Sequence, residues 1–321
     1  MTDTPALSLM NLTKRFGTVP AVSDLSFDVP RGSICGFLGP NGAGKTTSIR
    51  MILGLTEPSS GRISVLGAPD ARRVRRRIGF LPEERGLYKK MTPVDAIAFF
   101  ASLKGIPSGE GRRRARALLE AQGLGHAANR KMKALSKGMA QKVQLLSAIA
   151  HEPEFVILDE PFSGLDPVNQ QGLEATIREI AARGATVLFS THVMQHAERL
   201  CDKVVLLAHG RKAFEGTVAE ARATAPRHLD LVGALSEADV AALPGVASVS
   251  TIPSPAGEPH AHFRAALAPG ATGQEALRQA FSGGLDIQRF SLLEPSLHDA
   301  FIGLTGISPD ADTAARPESA A

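Results

Sequence analysis

Apolar positions change their spacing along this chain, and each change marks a predicted element. Leu7, Leu9 and Leu12, then Val22, Leu25, Phe27 and Val29, alternate with polar residues, which predicts an antiparallel strand pair near the start. Ser33-Ile34-Cys35-Gly36-Phe37-Leu38 reads as a short buried strand, with a helix over 46–55 after it. Phe155-Val156-Ile157-Leu158 has the unbroken apolar character of a strand covered on both faces, and the segment 185–189 reads as the next strand. Residues 91–150 take helical spacing, with helices predicted over 93–104, 111–122 and 136–151. Ala96, Phe99, Phe100 and Leu103 share that spacing and are expected mostly in a core, part of the region being a candidate partner groove.

Beyond Gly216 the pattern shortens. An apolar segment (229–232), a helix (236–243), strands near 246–250 and 262–267, a helix (273–281), a strand (287–293) and a last helix from Ser296 follow one another. This β-α-β-β-α-β order predicts a small ferredoxin-like α+β domain. The Ala-, Asp- and Pro-rich tail from Ser308 is expected to be disordered.

Charge marks the same division. The 321 residues carry a net charge of +4. Residues 221–321 hold 6 Arg and no Lys against 11 Asp plus Glu, or −5, and the first 220 hold 30 basic against 21 acidic residues, or +9. Such a shift is expected at a boundary between two units. The runs Arg72-Arg73-Val74-Arg75-Arg76-Arg77 and Arg112-Arg113-Arg114-Ala115-Arg116 read as solvated faces, the first as a short helix burying Val74 and Ile78. Without Trp and with Tyr88 as the one Tyr, there is little to stack on bases, and no nucleic-acid partner is expected. No apolar stretch reaches the roughly 18 residues of a membrane span, and no secretory signal is read at the start. Cys35 and Cys201 fit neither a disulfide framework nor a zinc site. A reducing cytoplasm is the expected compartment. His260 and His262 have strand spacing but no third ligand nearby, so no metal is expected there.

The candidate chemistry lies in the first unit. Gly39-Pro40-Asn41-Gly42-Ala43-Gly44-Lys45-Thr46-Thr47 fits G-x-x-x-x-G-K-[ST] between a predicted strand and helix. Its glycines let backbone N–H groups close around phosphate oxygens at a helix N-terminus. Lys45 is placed to reach the β- and γ-phosphates, and the Thr46 hydroxyl to ligate Mg²⁺. The strand 155–158 runs into Asp159 and Glu160. Asp159 is the expected Mg²⁺ partner, and Glu160, one residue on and facing the other way, the expected general base. No N-K-x-D guanine-reading segment is found, which disfavours a GTPase.

With these sites in place, further motifs carry a resemblance. Leu135-Ser136-Lys137-Gly138-Met139 is similar to the signature loop of ATP-binding cassette (ABC) ATPases, Ser163-Gly164-Leu165-Asp166 to their D-loop, and Ser190-Thr191-His192 to their switch histidine. The five motifs span residues 7–220 in the family's order. The resemblance implies an α/β fold: a P-loop cassette over 1–220, with a mixed sheet core, an antiparallel β subdomain and a helical signature subdomain at about 91–150. An accessory α+β domain over 227–307 and the tail 308–321 would follow. It implies a head-to-tail dimer in which Ser136 and Gly138 contact ATP held by the other subunit, His192 holds the γ-phosphate and Asp166 couples the two sites. Phe16 sits where the family places an aromatic ring on adenine. Catalytic roles fall on Lys45, Glu160 and His192, and metal contacts on Thr46, Asp159 and Glu83.

The chain departs from the common pattern at Glu83, where most cassettes carry Gln, and at Lys137 and Met139 in the signature. Leu81-Pro82-Glu83-Glu84-Arg85-Gly86-Leu87-Tyr88, Glu160 to Asn169, and Leu293-Glu294-Pro295-Ser296-Leu297-His298-Asp299-Ala300-Phe301 resemble the sodium-extrusion (Nat-type) ATPases of the ABC-2 export class. That resemblance implies an ATP-hydrolysing exporter subunit on the cytoplasmic membrane face, working with separately encoded transmembrane subunits and with a second copy of itself or a paralogous cassette. The alternative is an ABC ATPase acting on DNA, ribosomes or another assembly. Only 90 residues separate Lys45 from Ser136, too few for the long insertions of DNA-repair cassettes, and one P-loop is present where translation-type cassettes have two.

Overall fold

In the computed structural model, which describes residues 4–84, 86, 88–253 and 260–307, the elements follow the changes in apolar spacing. Strand β1 (Leu7–Phe16) pairs antiparallel with β2 (Val19–Val29). Leu7 lies opposite Val29, Leu9 opposite Phe27 and Leu12 opposite Leu25. Alternation breaks between Leu9 and Leu12, where the register shifts and Asn11 takes φ 51°. The bulge returns Leu12 to the buried face. Next come β3 (Ile34–Leu38), α1 (Lys45–Ile52), β4 (Ser60–Val65) and β5 (Ile78–Leu81). Helices α2 (Pro93–Leu103), α3 (Ser108–Ala121) and α4 (Lys137–Ile149) lead to β6 (Phe155–Asp159). Then α5 (Pro167–Ala182), β7 (Thr186–Thr191), α6 (Met194–Leu200), β8 (Lys203–Ala208), β9 (Arg211–Gly216) and α7 (Val218–Arg222) follow.

A six-stranded sheet has the order β5-β6-β7-β3-β8-β9, and β4 joins the first pair in a three-stranded antiparallel sheet ordered β2-β1-β4. In the larger sheet the first five strands are parallel and β9 is antiparallel. Strands β3, β6 and β7 are buried along their whole length and mostly apolar, because both faces are covered. Leu7, Leu25 and Phe27 from the small sheet, Ile49 and Ile52 from α1, and Phe37, Phe155 and Leu188 from the large sheet form one core. The C-terminal tips of β3, β6 and β7 come together, with Leu38 opposite Thr191 and Asp159 opposite Ser190.

Two expectations in this unit are corrected. The arginine run from 72 to 77 is not one helix: it forms two short 3₁₀ turns, Ala71–Arg73 and Arg75–Arg77, after which Ile78 enters β5. Pairing of Ile78 with Phe155 claims the residue for the sheet. In α2 the core stripe is Val94, Ile97 and Ala101, packed with Leu119, Val143 and Leu146. Of the four positions expected inside, only Ala96 is fully buried; Phe99 is 38% and Leu103 61% exposed. Phe99 instead meets Tyr88 and Phe100 edge-on, at 6.2 and 5.5 Å. The second arginine run is ion-paired on the surface, Arg112 with Asp95 at 2.8 Å and Arg114 with Glu110 at 2.7 Å.

The chain divides into two compact units, the second spanning Ala219–Gly306, so the break falls between Gly216, where the apolar pattern shortens, and position 221, from which the acidic charge is counted. The second unit contains β10 (His228–Ala234), α8 (Glu237–Ala241), β11 (Val246–Ile252), β12 (Ala261–Leu267), α9 (Gly273–Ser282), β13 (Asp286–Leu293) and α10 (Leu297–Thr305). Its strands form one antiparallel sheet ordered β11-β12-β10-β13. Leu229, Leu231, Phe263 and Ala265 face Val240, Ala276 and Ala280. On the β10 and β12 strands Asp230 takes both Arg264 nitrogens, at 2.7 and 2.8 Å, and lies 3.5 Å from His262. The tail from Ser308, with Arg85 and Leu87, lies outside the described residues. No helix among the described residues is long and apolar enough to cross a membrane.

Candidate functional site

The phosphate loop leaves the buried end of β3 and runs into α1. Gly44 caps the helix in a left-handed conformation, φ 99°, with no side-chain cap. A Cβ there would stand 2.7 Å from the Ala21 carbonyl oxygen, so backbone conformation and space both call for glycine. The first-turn amides thus have no protein side chain across their ends. Lys45 is buried and folds back, its Nζ donating to the carbonyls of Gly39 at 2.7 Å and Pro40 at 3.1 Å. Burial holds its ammonium below the ordinary lysine value, with the Glu160 carboxylate acting in the opposite direction.

Asp159 ends β6, a fully buried strand, and its Oδ1 accepts the Ser190 hydroxyl from β7 at 2.5 Å. Burial raises the Asp159 carboxyl above its usual range, while hydrogen bonds from Ser190 and Thr46 act against that rise. Simple strand alternation would send Glu160 to the opposite face. Instead the strand stops at Asp159 and Glu160 takes φ 46°, an uncommon conformation for a side chain other than glycine. Its N–H is shared by the Ser190 oxygens, Oγ at 3.1 Å and the carbonyl at 3.2 Å. The turn brings Glu160 Oε1 within 3.6 Å of Lys45 Nζ and 3.1 Å of His192 Nδ1. Phe162 fixes the segment beyond by stacking on His196, with ring centres 4.1 Å apart.

Asn41, Gly42, Gly44, Lys45, Thr46, Thr47, Glu83 and Glu160 line one cavity of about 160 Å³. Glu83 stands exposed at its margin, and Gln144 from α4 holds that segment by donating to the carbonyls of Pro82 and Glu84, at 3.4 and 3.2 Å. A larger cleft of about 470 Å³ lies beside Met10 and Met51, lined by Glu57 and Asp70 but by no lysine and no residue of the phosphate loop. A buried cation against two carboxylates at the open end of a parallel sheet is suited to binding a polyanion and activating water.

Other expected site residues stand outside this cavity. Phe16, at the end of β1, is 56% exposed with Lys14 Nζ 5.1 Å above its ring. Ser136 caps α4 by accepting the Met139 N–H at 3.2 Å, and Gly138 is buried in the first turn. Asp166 caps α5, and its carboxyl is held low by hydrogen bonds from Asn169. Sequence reasoning gave no role to Ser190, Gln144 or Asn169. Of these, only Ser190 had a visible signal, two positions before His192 on a strand beside β6.

The ABC transporter family model matches residues 22–163. The chain is 38% identical over 300 residues to the uncharacterized ABC transporter ATP-binding protein YhaQ of Bacillus subtilis, covering 94% of this chain and 98% of that protein. It is 38% identical to Nod factor export ATP-binding protein I of Ralstonia nicotianae, over 67% of this chain and 68% of that one. Among solved structures, an ATP-binding subunit of an ABC transporter matches with TM-score 0.62 and 36% identity, over 68% of this chain and 92% of the other. CbiO1 from Clostridium perfringens, part of the ABC transporter complex CbiONQ, matches with TM-score 0.61 and 27% identity, over 66% and 88%. With its glycine-lysine loop, Asp159, Glu160 and His192 gathered at one sheet end, this chain belongs to the ATP-binding proteins of ABC transporters, a family of ATPases.

Proposed function

We propose that this chain is the ATP-hydrolysing subunit of a membrane exporter and works as a dimer at the cytoplasmic face with separate transmembrane subunits. The observation that carries the reading is the convergence of Lys45, Glu160 and His192, with Glu160 Oε1 3.6 Å from the ammonium and 3.1 Å from the imidazole. The phosphate loop, residues Gly39 to Thr47, holds the triphosphate on its amides, and Lys45 leaves the Gly39 and Pro40 carbonyls for the β- and γ-phosphates. Glu160 takes a proton from water as the water oxygen bonds to the γ-phosphorus. The bond from that phosphorus to the β,γ-bridging oxygen breaks, giving ADP and phosphate. His192 steadies Glu160 and the γ-phosphate.

The donors near the phosphate loop suit Mg²⁺: the Thr46 hydroxyl acts on the Asp159 carboxyl, Glu83 lies at the margin, and all three offer hard oxygens. Bound Mg²⁺ neutralises charge that builds on the phosphate oxygens. Phe16 stacks on adenine. Ser136 and Gly138 reach the ATP of the opposite subunit, and Asp166 links the two sites. Resemblance to the Nat-type ATPases and similarity to a protein named for Nod factor export support export as the direction. Glu160→Gln, purified from gently solubilised membranes with Mg²⁺ and ATP, tests the assignment. A stoichiometric multi-span membrane protein is expected alongside it; ribosomes, nucleic acid or no companion would overturn the transport reading and leave the ATPase standing.

A further inference from the structure

Two segments that the proposed dimer turns toward its partner, the start of α4 with Gly138 and the start of α5 with Asp166, meet inside one subunit at Asn169. Part of this contact is ordinary. Asp166 caps α5 and its Oδ1 accepts the Asn169 N–H at 3.0 Å, as an N-cap does. The second bond goes further, because Asn169 Nδ2 donates to Asp166 Oδ2 at 2.6 Å. One residue therefore holds both oxygens of the carboxylate.

The same planar amide lies against the signature loop. A Cβ on Gly138 would come within 2.5 Å of Asn169 Cγ and Nδ2. Gly138 has no left-handed φ, so its missing side chain answers to this close approach and not to backbone conformation. One turn further along α4, Gln141 Nε2 donates to the Pro161 carbonyl at 3.1 Å in a buried position. The start of α4 thus touches the segment from Pro161 to Asn169 at both of its ends. A shift of Gly138 toward α5 displaces the amide, and the amide carries the Asp166 carboxylate with it.

We propose that Asn169 is a positioning residue that sets the spacing between Gly138 and Asp166, so that signature loop and D-loop meet the opposite subunit as one unit. This rests on the dimer reading above. Neither residue lines the cavity that contains Lys45, so Asn169 acts on closure of the dimer and leaves ATP binding to a single subunit untouched.

The test uses the full chain with Glu160→Gln as parent, alone and with Asn169→Ala. Dimer formation is followed by sedimentation velocity with Mg²⁺ and ATP, and single-subunit binding by fluorescence of a labelled ATP analogue at low protein concentration. The expected result is a dimer in the parent and one weakened about tenfold or more by Asn169→Ala, or about 1.4 kcal/mol, with analogue affinity and melting temperature unchanged. Asn169→Ser, which cannot reach both partners, gives the same weakening and serves if the alanine variant folds poorly. Gly138→Ala supplies the coupling readout. Its effect shrinks when Asn169 is already alanine, because the added methyl then has room, whereas residues without contact give additive effects. Additive effects, or a parent and an Asn169→Ala protein that dimerise alike, overturn the role of Asn169 and leave the dimer intact. A parent that stays monomeric with ATP overturns the dimer reading and the proposal together.

Discussion

His192 Nδ1 stands 3.1 Å from Glu160 Oε1, although 32 residues separate the two in sequence. Each follows the end of its own strand, and β6 and β7 are neighbours in the sheet. With its proton on Nδ1, the imidazole donates to the carboxylate and leaves it one defined orientation. Glu160→Gln keeps an acceptor for that bond but cannot take a proton. Phosphate release is expected to fall about 100-fold or more, while ATP affinity measured by calorimetry changes little. A variant that hydrolyses ATP near the parent rate would remove Glu160 as the base.

Ser190 serves both carboxylate residues, donating to Asp159 and accepting from the Glu160 N–H. Its own side chain is fully buried. Ser190→Ala leaves Asp159 short of a donor and removes one of the two acceptors of the Glu160 N–H, the Ser190 carbonyl remaining. A stability loss of about 1–3 kcal/mol is expected from denaturant melts. Turnover should fall about 10- to 100-fold, as when outer partners of metal-site ligands are lost, with KM for ATP little changed. A raised KM at normal turnover would place the defect in binding instead.

Glu83 adds a negative charge where nucleotide phosphates are expected. It is exposed and screened, so its effect is small, about 1 kcal/mol or less. Glu83→Gln should tighten ATP binding measured in EDTA by up to about fivefold. The gain should shrink when Mg²⁺ is present, because the metal offsets the same repulsion. Equal affinities of the two proteins without metal would show that Glu83 lies too far from the phosphates to matter.

His151 is buried in the turn after α4, with Nε2 donating to the Ile78 carbonyl at 3.2 Å. Its Nδ1 has no partner among the described residues. Burial, helped by the charge of Lys104, brings its pKa from 6.5 down to about 4. The unfolded chain therefore takes up a proton between these values and the folded chain does not. Stability from this group is complete above pH 6.5 and is lost as pH falls through about 4. Melting temperature followed from pH 7 to 4 should decline in the parent and decline less in His151→Gln. Parallel curves would assign the acid loss to other groups.

What the sequence determined by itself is local. The glycine-lysine loop is legible because glycine spacing between a buried strand and a helix N-terminus is what lets backbone amides enclose a phosphate there. The β1–β2 pairing and the β-α-β-β-α-β order of the second unit were legible too, since strand periodicity is written residue by residue. Tertiary structure decided what depends on distant neighbours. Phe99 and Leu103 have helical spacing suited to a core, yet the stripe through Val94, Ile97 and Ala101 is the one that meets α3 and α4. The left-handed turn that brings Glu160 to Lys45 needs an acceptor from β7, and the space beside Gly138 is filled by an amide from α5. A sequence lists the groups that can make such bonds. Strand order and helix packing decide which of them come within reach, because hydrogen bonds and close contacts act over a few ångströms in space and take no account of separation along the chain.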